Sequence, residues 1–276
     1  MDIVFTPMRE KESDRALLLA RVEDMVRRAE RYEPCVSPFL SPREQHYAKE
    51  KLRALGFGSR GALYGGYDGS ERNRLFVLPE YLAAEDGDYN AALIRERLPE
   101  LSCEAVRVLS IEGSGYRKLT HRDYLGSLLG LGIERDKLGD IIVEDDCHAL
   151  VFCDGTMADY ILSELRKIGS DTVKVRATEI GEDFRVERRM RPISDTVASP
   201  RLDSIVSSLV GTSREKAQAL IREGAVEVDY EPCEKNDKMP NEGAIISVRG
   251  HGKYVIQSVS EQTKKGRYRL LAAQYD

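Results

Sequence analysis

Apolar and charged residues alternate at helical spacing in two stretches near the start of the chain. Residues 13–32 place apolar side chains three or four positions apart with charges between them, which predicts an amphipathic helix. A second helix is predicted from Pro42, because Ser41 is a suitable cap before it and Gly56 follows its end. Residues 1–71 are therefore expected to form a mainly helical N-terminal domain.

The middle of the chain changes between short apolar runs and amphipathic stretches. Residues 104–177 predict strand, helix, strand, strand, helix and strand, with Thr120 and Asp123 spaced as a capping pair for the first of these helices. This βαββαβ order is that of the ferredoxin-like fold, which RNA recognition modules share. The first predicted strand has no aromatic residue, so residues 72–182 are expected to form an RRM-like domain without the base-stacking signature of those modules.

The last part of the chain predicts two short helices followed by strands. Ser199 is placed to cap the first helix, and Thr212 and Glu215 are spaced as a capping box for the second. Their apolar stripes face each other if the two helices form a hairpin. Residues 199–276 are expected to form a C-terminal domain, and residues 183–198 a linker or an extra strand. The predicted fold class is α+β.

Composition limits the class of protein and its compartment. The 276 residues are 41% hydrophobic and 32% charged, which is typical of a globular chain. No apolar run is long enough to span a membrane, and the first residues lack the order of a signal peptide, so we expect a cytoplasmic protein. The five cysteines are scattered and odd in number, which indicates free thiols in a reducing compartment.

Two cysteines and a histidine in "CHALVFC" raise the question of a metal site. Cys147 and His148 are adjacent, and Cys153 follows after four apolar or aromatic residues. We favour an apolar strand in which the cysteines act as small hydrophobic residues. No metal and no cofactor is predicted.

The distribution of charge points to the C-terminal domain as the part that contacts phosphate. The net charge of -5 is uneven, because residues 72–198 carry net -6 and residues 199–276 carry net +1. Arg214, Gln218 and Arg222 recur on one side of the second C-terminal helix, whose first N–H groups add a phosphate site. The alternative is a solvated charged face.

The tripeptide His121-Arg122-Asp123 occurs in the catalytic loop of protein kinases. A kinase needs Asn five residues after the Asp, and Leu128 stands there. The tripeptide is instead predicted to lie in the first turn of an amphipathic helix. An RNA-modifying enzyme would need an active site in the central domain, whose candidate carboxylates have no cofactor motif beside them: Asp123, Asp140, Asp145 and Asp146. No catalytic residue is predicted, and the protein is not expected to be an enzyme.

The C-terminal motifs resemble the small RNA-binding domain named after small-subunit ribosomal protein S-four. The matching stretches, in the family's order, are "RLD" at 201–203, "SR" at 213–214, "VEV" at 226–228 and "ISVRGHGK" at 246–253. Asp229 departs from the family, which often has Asn there, and a carboxylate would weaken a nearby RNA contact. The resemblance implies contacts with structured RNA through seven residues: Arg201, Ser213, Arg214, Gln218, Arg222, Arg249 and Lys253.

The whole chain resembles the bacterial YlmH family. The matching stretches are "SPFLSPREQHYAKEKL", "LTHRDYLGSLLGLGIERDKLGDI" and "DTVASPRLDSIVSSL". The resemblance implies a non-enzymatic, cytoplasmic RNA-binding protein that associates with the large ribosomal subunit, contacts ribosomal RNA and tRNA, and acts in rescue of stalled translation. It implies neither a membrane partner nor a small-molecule substrate. The alternatives are an RNA-modifying enzyme such as a pseudouridine synthase, whose catalytic "RLD" Asp203 imitates, and an interaction protein in cell division.

Overall fold

A computed structural model describes five stretches of the chain: residues 8–83, 91–181, 183–186, 190–262 and 266–275. The chain divides into two compact units, Met1–Val186 and Glu187–Asp276. Among the described residues, no helix combines the length and the apolar character that crossing a membrane requires.

The first unit begins with helices packed on a small antiparallel sheet. Its elements are α1 (Met8–Glu30), β1 (Cys35–Leu40), α2 (Pro42–Ala54), β2 (Gly61–Tyr64) and β3 (Asn73–Val77), and the strand order is β1-β3-β2. Both predicted helices are confirmed. The sheet is an addition to the expected helical domain, because β1 contains Pro38 and was not predicted. Strand β3 lies beyond the predicted boundary at residue 71, so this sheet extends across that boundary.

Reciprocal capping sets the start of α2. Ser41 N donates to Glu44 Oε2 at 2.7 Å, and Glu44 N donates to Ser41 Oγ at 3.4 Å. Two otherwise orphan N–H groups are thereby satisfied, which fixes the chain direction between β1 and α2. The predicted Ser41 cap is confirmed.

The central domain follows two short helices, α3 (Ala91–Arg97) and α4 (Pro99–Ala105). Its elements are β4 (Val106–Gly113), α5 (His121–Gly130), β5 (Leu138–Val143), β6 (His148–Asp154), α6 (Gly155–Glu164), β7 (Lys167–Ile168) and β8 (Asp171–Thr178). The sheet order is β5-β6-β4-β8-β7 with antiparallel neighbours. Helix α5 joins β4 to β5 across β6, and α6 joins β6 to β8 across β4. The predicted ferredoxin-like arrangement is therefore confirmed, with β7 as a short additional strand.

One face of the central sheet is covered by helices, and the other face is covered over β4 and β6. Helices α5 and α6 pack on one face around buried Leu109, Ile111 and Val151. On the other face, Val106, Leu150 and Phe152 belong to a second core with side chains of the N-terminal sheet and its loops: Phe39, Tyr67 and Phe76. The alternation of side chains along β4 and β6 separates these two cores.

The second unit is a six-stranded antiparallel sheet with a helical hairpin on one face. Its elements are β9 (Met190–Val197), α7 (Leu202–Leu209), α8 (Arg214–Arg222), β10 (Val226–Val228), β11 (Glu231–Pro232), β12 (Ile245–Val248), β13 (Gly252–Gln262) and β14 (Tyr268–Tyr275). The order is β11-β10-β12-β13-β14-β9. The predicted hairpin and the strands predicted after it are present. Residues 183–198, predicted to be a linker or an extra strand, contain the edge strand β9.

The hairpin helices begin later than the sequence indicated. Helix α7 starts at Leu202, and Ser199 does not cap it; Leu202 N donates instead to the carbonyl of Lys238 at 2.7 Å. A distant loop therefore supplies the acceptor that a local hydroxyl was expected to supply.

Helix α8 is also capped differently from the prediction. Ser213 is the N-cap, and its hydroxyl accepts from Lys216 N at 3.3 Å. The predicted capping box of Thr212 and Glu215 is wrong. Neighbouring residues of the same chemical type compete for this position, and the backbone angles of the turn select Ser213.

Candidate nucleic-acid interface

A buried carboxylate joins the two helices of the C-terminal hairpin. Asp203, in the first turn of α7, is 0% exposed. Arg214 Nε and Nη2 donate to its two oxygens at 2.9 and 3.2 Å, and Gln218 Nε2 donates at 2.8 Å. Arg201 Nε lies 3.6 Å from Asp203 Oδ1. Three predicted RNA contacts therefore converge on one internal acid.

Asp203 is held in its ionised form. Burial opposes ionisation, but hydrogen bonds from Gln218 and Arg214, together with the charges of Arg214 and Arg201, lower the pKa of Asp203 below its usual value. The carboxylate is enclosed and its oxygens are engaged, so it fastens α8 to α7. This placement argues against the catalytic role that the "RLD" motif suggested.

Two other predicted contacts lie at the opposite end of α8. Arg222 is exposed in the last turn, and its Nε donates to the carbonyl of Gln218 at 3.3 Å. Exposed Arg249 donates from Nη2 to the carbonyl of Gly224 at 3.3 Å, and from its backbone N to Ala225 at 2.9 Å. A guanidinium has five N–H donors, so each side chain can hold a helix-terminal carbonyl and still contact a phosphate.

Lys253 and Ser213 lie in different parts of the C-terminal domain. Lys253 lies on the sheet face opposite the helices, because its neighbour Tyr254 is buried in the helix-side core. Its Nζ is 5.1 Å from the ring centroids of both Tyr230 and Tyr275, a double cation–π contact. Ser213 uses its hydroxyl as the helix cap. The structure thus does not bring Lys253 together with the residues of α8.

Asp229 occupies a tight turn and is turned inward to the backbone. Asp229 and Tyr230 have φ values of 52° and 68° and form the two-residue loop between β10 and β11. Asp229 Oδ1 accepts from Ile245 N at 2.9 Å. Asp tolerates the left-handed conformation that a type I′ turn requires. The bond from Ile245 N gives the carboxylate a structural role in this turn.

A recess of about 330 Å³ lies beside the turn between α7 and α8. Arg214 and Arg267 line it, together with the hydroxyl groups of Ser204, Ser207 and Thr212. Arg267 Nε donates to Thr196 Oγ1 at 3.0 Å. The sequence motifs did not identify Arg267, because it lies far from the hairpin in the sequence, directly before β14. Only folding brings it to the hairpin.

The two central strands of the sheet, β4 and β6, are not available as a platform for bases. Phe152 is 0% exposed, and its ring centroid lies 4.9 Å from that of Tyr67. Phe184 is also in the cluster, 5.3 Å from Tyr67. Protein side chains therefore occupy this face over β4 and β6, where RNA recognition modules stack bases. On β8 the same face is exposed at Thr172, Lys174 and Arg176.

Asp123 of the tripeptide at the start of α5 has a structural role. Asp123 Oδ2 accepts from Thr120 N at 2.9 Å, and Asp123 N donates to Thr120 Oγ1 at 3.4 Å. The predicted capping pair is confirmed. Hydrogen bonds from Thr120 outweigh slight burial and lower the pKa of Asp123, and Arg117 adds an ion pair at 2.9 Å. Burial and Arg135 lower the pKa of His121.

Asp140 is likewise engaged in holding the chain. It accepts from Tyr67 Oη and Glu71 N at 2.7 Å, and from Arg72 N at 2.9 Å. These bonds fasten the loop before β3 to β5. Two of the four candidate carboxylates of the central domain, Asp123 and Asp140, therefore have structural partners.

Two family models match the chain. Residues 105–182 match the model described as "Putative RNA-binding domain in YlmH", and residues 200–246 match the S4 (S-four) domain. The first covers the βαββαβ domain, and the second covers the helical hairpin, β10 and β11 and ends at the start of β12.

Among curated relatives, "Ribosome-associated protein quality control protein P2" of Bacillus subtilis is 29% identical over 241 residues, which are 87% of each chain. Two uncharacterized RNA pseudouridine synthases, of Mycobacterium bovis and Mycobacterium tuberculosis, are 41% identical over 61 residues. That likeness covers 22% of this chain and is S4-domain similarity only.

A solved structure titled "Cell division protein ylmH from Streptococcus pneumoniae" has a TM-score of 0.45 and 20% identity, and it covers 67% of this chain and 100% of that one.

The two family models lie in the order that the motifs predicted, within an α+β chain. The protein therefore carries the YlmH-type RNA-binding domain followed by an S4 domain, which confirms the resemblance to the YlmH family.

Proposed function

We propose that this protein is a non-enzymatic factor that binds ribosomal RNA and tRNA on the large ribosomal subunit and acts when translation stalls. The relative from Bacillus subtilis, whose name places it in ribosome-associated quality control, supports the setting because the likeness extends over 87% of both chains. The proposal includes a cytoplasmic location, and the five free cysteines agree with a reducing compartment.

The observation that carries the proposal is the pair of exposed guanidinium groups at the carboxyl end of α8. Arg222 lies in the last turn of α8 and bonds to the carbonyl of Gln218, and Arg249 bonds to the carbonyl of Gly224, two residues after Arg222. Phosphate groups are recognised by planar guanidinium donors, and most protein–nucleic acid contacts go to the backbone. We assign these two residues the main electrostatic contact with RNA.

Arg214 and Gln218 take a different role in this proposal. Their contacts with Asp203 set the angle between α7 and α8, and thereby the position of the exposed end of α8. Arg201 lies at the same acid and belongs to this group. These residues position the interface, and any RNA contact they make is additional to that task. Ser213 shapes the other end of α8, and Lys253 serves a second contact across the sheet.

The absence of an enzymatic function is part of the proposal. Asp203 is enclosed and bonded to Arg214 and Gln218. Asp123 is partly exposed, but Thr120 and Arg117 engage its two oxygens, so we assign neither acid a catalytic role. The likeness to pseudouridine synthases is limited to the shared S4 domain.

Cosedimentation with separated ribosomal subunits tests the proposal. The wild-type protein is expected to pellet with the large subunit, and the Arg222→Glu/Arg249→Glu variant is expected to stay in the supernatant. The matched control is Arg191→Glu/Arg269→Glu, which makes the same charge change at exposed positions on β9 and β14, at the other edge of the sheet.

Three results would contradict the proposal: binding to the small subunit alone, equal binding of the first variant and wild type, or equal loss in both variants. Circular dichroism of each variant verifies that loss of binding is not loss of fold. Arg214→Glu is unsuitable for this test, because it would place a carboxylate against buried Asp203.

A further inference from the structure

Three metal-ligating side chains converge at the turn between β5 and β6. The ligand atoms of Asp145, Cys147 and His148 all lie within 4.8 Å of one another. His148 Nδ1 is 2.8 Å from Asp145 Oδ2 and 3.5 Å from Cys147 Sγ. The sequence suggested Cys153 as the second cysteine of such a set, but Cys153 is buried in the core, and folding brings Asp145 to this position instead.

The separations are close to those of a tetrahedral zinc site. Zinc bonds of about 2.0–2.1 Å to nitrogen or oxygen and about 2.3 Å to sulfur place neighbouring N and S ligands about 3.6 Å apart, and N and O ligands about 3.4 Å apart. The distance from His148 Nδ1 to Cys147 Sγ already fits. The distance from His148 Nδ1 to Asp145 Oδ2 needs to open by about half an ångström, a side-chain rotation in an exposed turn.

The backbone holds the first ligand in place. Asp145 Oδ1 accepts from Cys147 N and His148 N, both at 2.8 Å. These backbone bonds use Oδ1 only, and the imidazole Nδ1 lies against both oxygens, 3.0 Å from Oδ1 and 2.8 Å from Oδ2. The chain on both sides is fixed, because Gly113 N donates to the carbonyl of Cys147 and Glu144 N to that of His148. The turn is therefore preorganised.

A fourth ligand is available from the neighbouring strand. Glu112 on β4 stands directly opposite His148 in the antiparallel pairing with β6, so the two side chains are on the same face. The negative charge of Glu112 acts on both Cys147 and His148. With Glu112 as the fourth ligand, the set is one sulfur, one nitrogen and two oxygen ligands.

The cluster does not have the geometry of a thiol nucleophile. In a Cys–His–Asp triad the acid and the thiol contact different ring nitrogens, whereas here both contact His148 Nδ1. Slight burial and the bond to Asp145 raise the pKa of Cys147, which is the opposite of nucleophile activation.

We propose that Asp145, Cys147, His148 and Glu112 bind one divalent cation of the zinc class. Thiolate and imidazole ligands select zinc over magnesium and calcium. Binding displaces the thiol proton and any proton on His148 Nδ1 into solvent. The cation links the β5–β6 turn to β4, and this role is independent of the function proposed for the S4 domain.

Titration of untagged full-length protein tests the site. Zn²⁺ affinity is measured by competition with a chromogenic chelator, and Co²⁺ gives a thiolate charge-transfer absorption if sulfur is a ligand. We expect wild type to bind one equivalent of Zn²⁺. Cys147→Ser should lose the absorption and bind Zn²⁺ at least about 100-fold more weakly. Glu112→Gln is expected to weaken binding about 10- to 100-fold, in the range of altered metal surroundings.

The matched control is Cys103→Ser, an exposed cysteine on α4 that lies outside the cluster. It is expected to keep both the affinity and the absorption. His148→Gln is the second variant and should behave like Cys147→Ser. The proposal is overturned if wild type binds no Zn²⁺, if Cys147→Ser and His148→Gln bind as wild type does, or if Cys103→Ser abolishes the absorption.

Discussion

The two RNA-binding domains of this protein are both built on antiparallel sheets, but they differ in what they leave available to a ligand. The central sheet has helices on one face and an aromatic core around Phe152 on the other. The C-terminal domain exposes Arg222 and Arg249 at the end of a helix. A domain's fold therefore does not reveal its binding surface, because the surface depends on what else covers the sheet.

Two carboxylates extend this comparison to single residues. Asp123 and Asp203 both lie in the first turn of a helix. Asp123 is partly exposed and bonds to its own N-cap residue, Thr120. Asp203 is enclosed and bonds to Arg214, which is eleven positions away on another helix. The first acid starts a helix, and the second joins two helices.

The largest effect is expected from removing the aromatic core of the central sheet. Phe152→Ala should lower the free energy of unfolding of the first unit by about 3–5 kcal/mol, because a buried ring leaves a cavity. Chemical denaturation followed by hydrogen exchange of peptides from each unit measures the loss.

Phe152→Leu sharpens this prediction. It retains apolar volume and should cost less than about 1.5 kcal/mol. RNA affinity of the Leu variant should equal that of wild type. A clear loss of affinity in a stable Phe152→Leu protein would show that the sheet face does contact bases.

The next effect concerns the link between α7 and α8. Arg214→Glu should destabilise the C-terminal unit by at least about 3 kcal/mol, because it breaks a buried ion pair and places a second carboxylate against Asp203. Arg222→Glu, on the same helix but exposed, should change stability by less than about 0.5 kcal/mol. Hydrogen exchange of peptides from α7 and α8 compares the two, and equal effects would refute a structural role for Arg214.

The pH dependence of the C-terminal unit follows from the same contact. The folded state lowers the pKa of Asp203, so this group adds stability above its unfolded pKa of about 3.9 and loses it as pH falls through the folded value. Asp203→Asn should be less stable at neutral pH and should show a flatter decline in acid. Denaturation between pH 7 and pH 2 measures this, and parallel curves would contradict it.

The smallest effect is expected at the exposed acid. Arg117→Ala removes the ion pair with Asp123, whose side chains are 47% and 24% exposed, and should cost less than about 1 kcal/mol. Thermal unfolding of the first unit measures it. A cost as large as that of Arg214→Glu would remove the contrast between the two carboxylates.

Local patterns predicted the helices and strands of both domains well. The bonds of Thr120 with Asp123, and the Ser41 cap, involve residues three positions apart, so spacing alone identifies them. The caps of α7 and α8 were misplaced by one or two residues. A carbonyl from the distant loop at Lys238 replaces the expected cap of α7, and no local pattern encodes that contact.

The candidate site shows the same limit. The sequence identified Arg214, Gln218 and Arg222 as one helical stripe, but it could not show that Asp203 binds the first two. Strand β1 was missed because Pro38 disfavours a strand and only pairing with β3 stabilises it. Long-range contacts determine both outcomes.

The central claim is that Arg222 and Arg249 contact phosphate, and the salt dependence of binding tests it most directly. The affinity for the large ribosomal subunit is measured over a series of salt concentrations for wild type, Arg222→Ala/Arg249→Ala and the control Arg191→Ala/Arg269→Ala. The account predicts that the slope of log K against log salt is smaller by about 2 in the first variant, about 1 for each lost phosphate contact, and unchanged in the control. An unchanged slope in Arg222→Ala/Arg249→Ala would contradict the account.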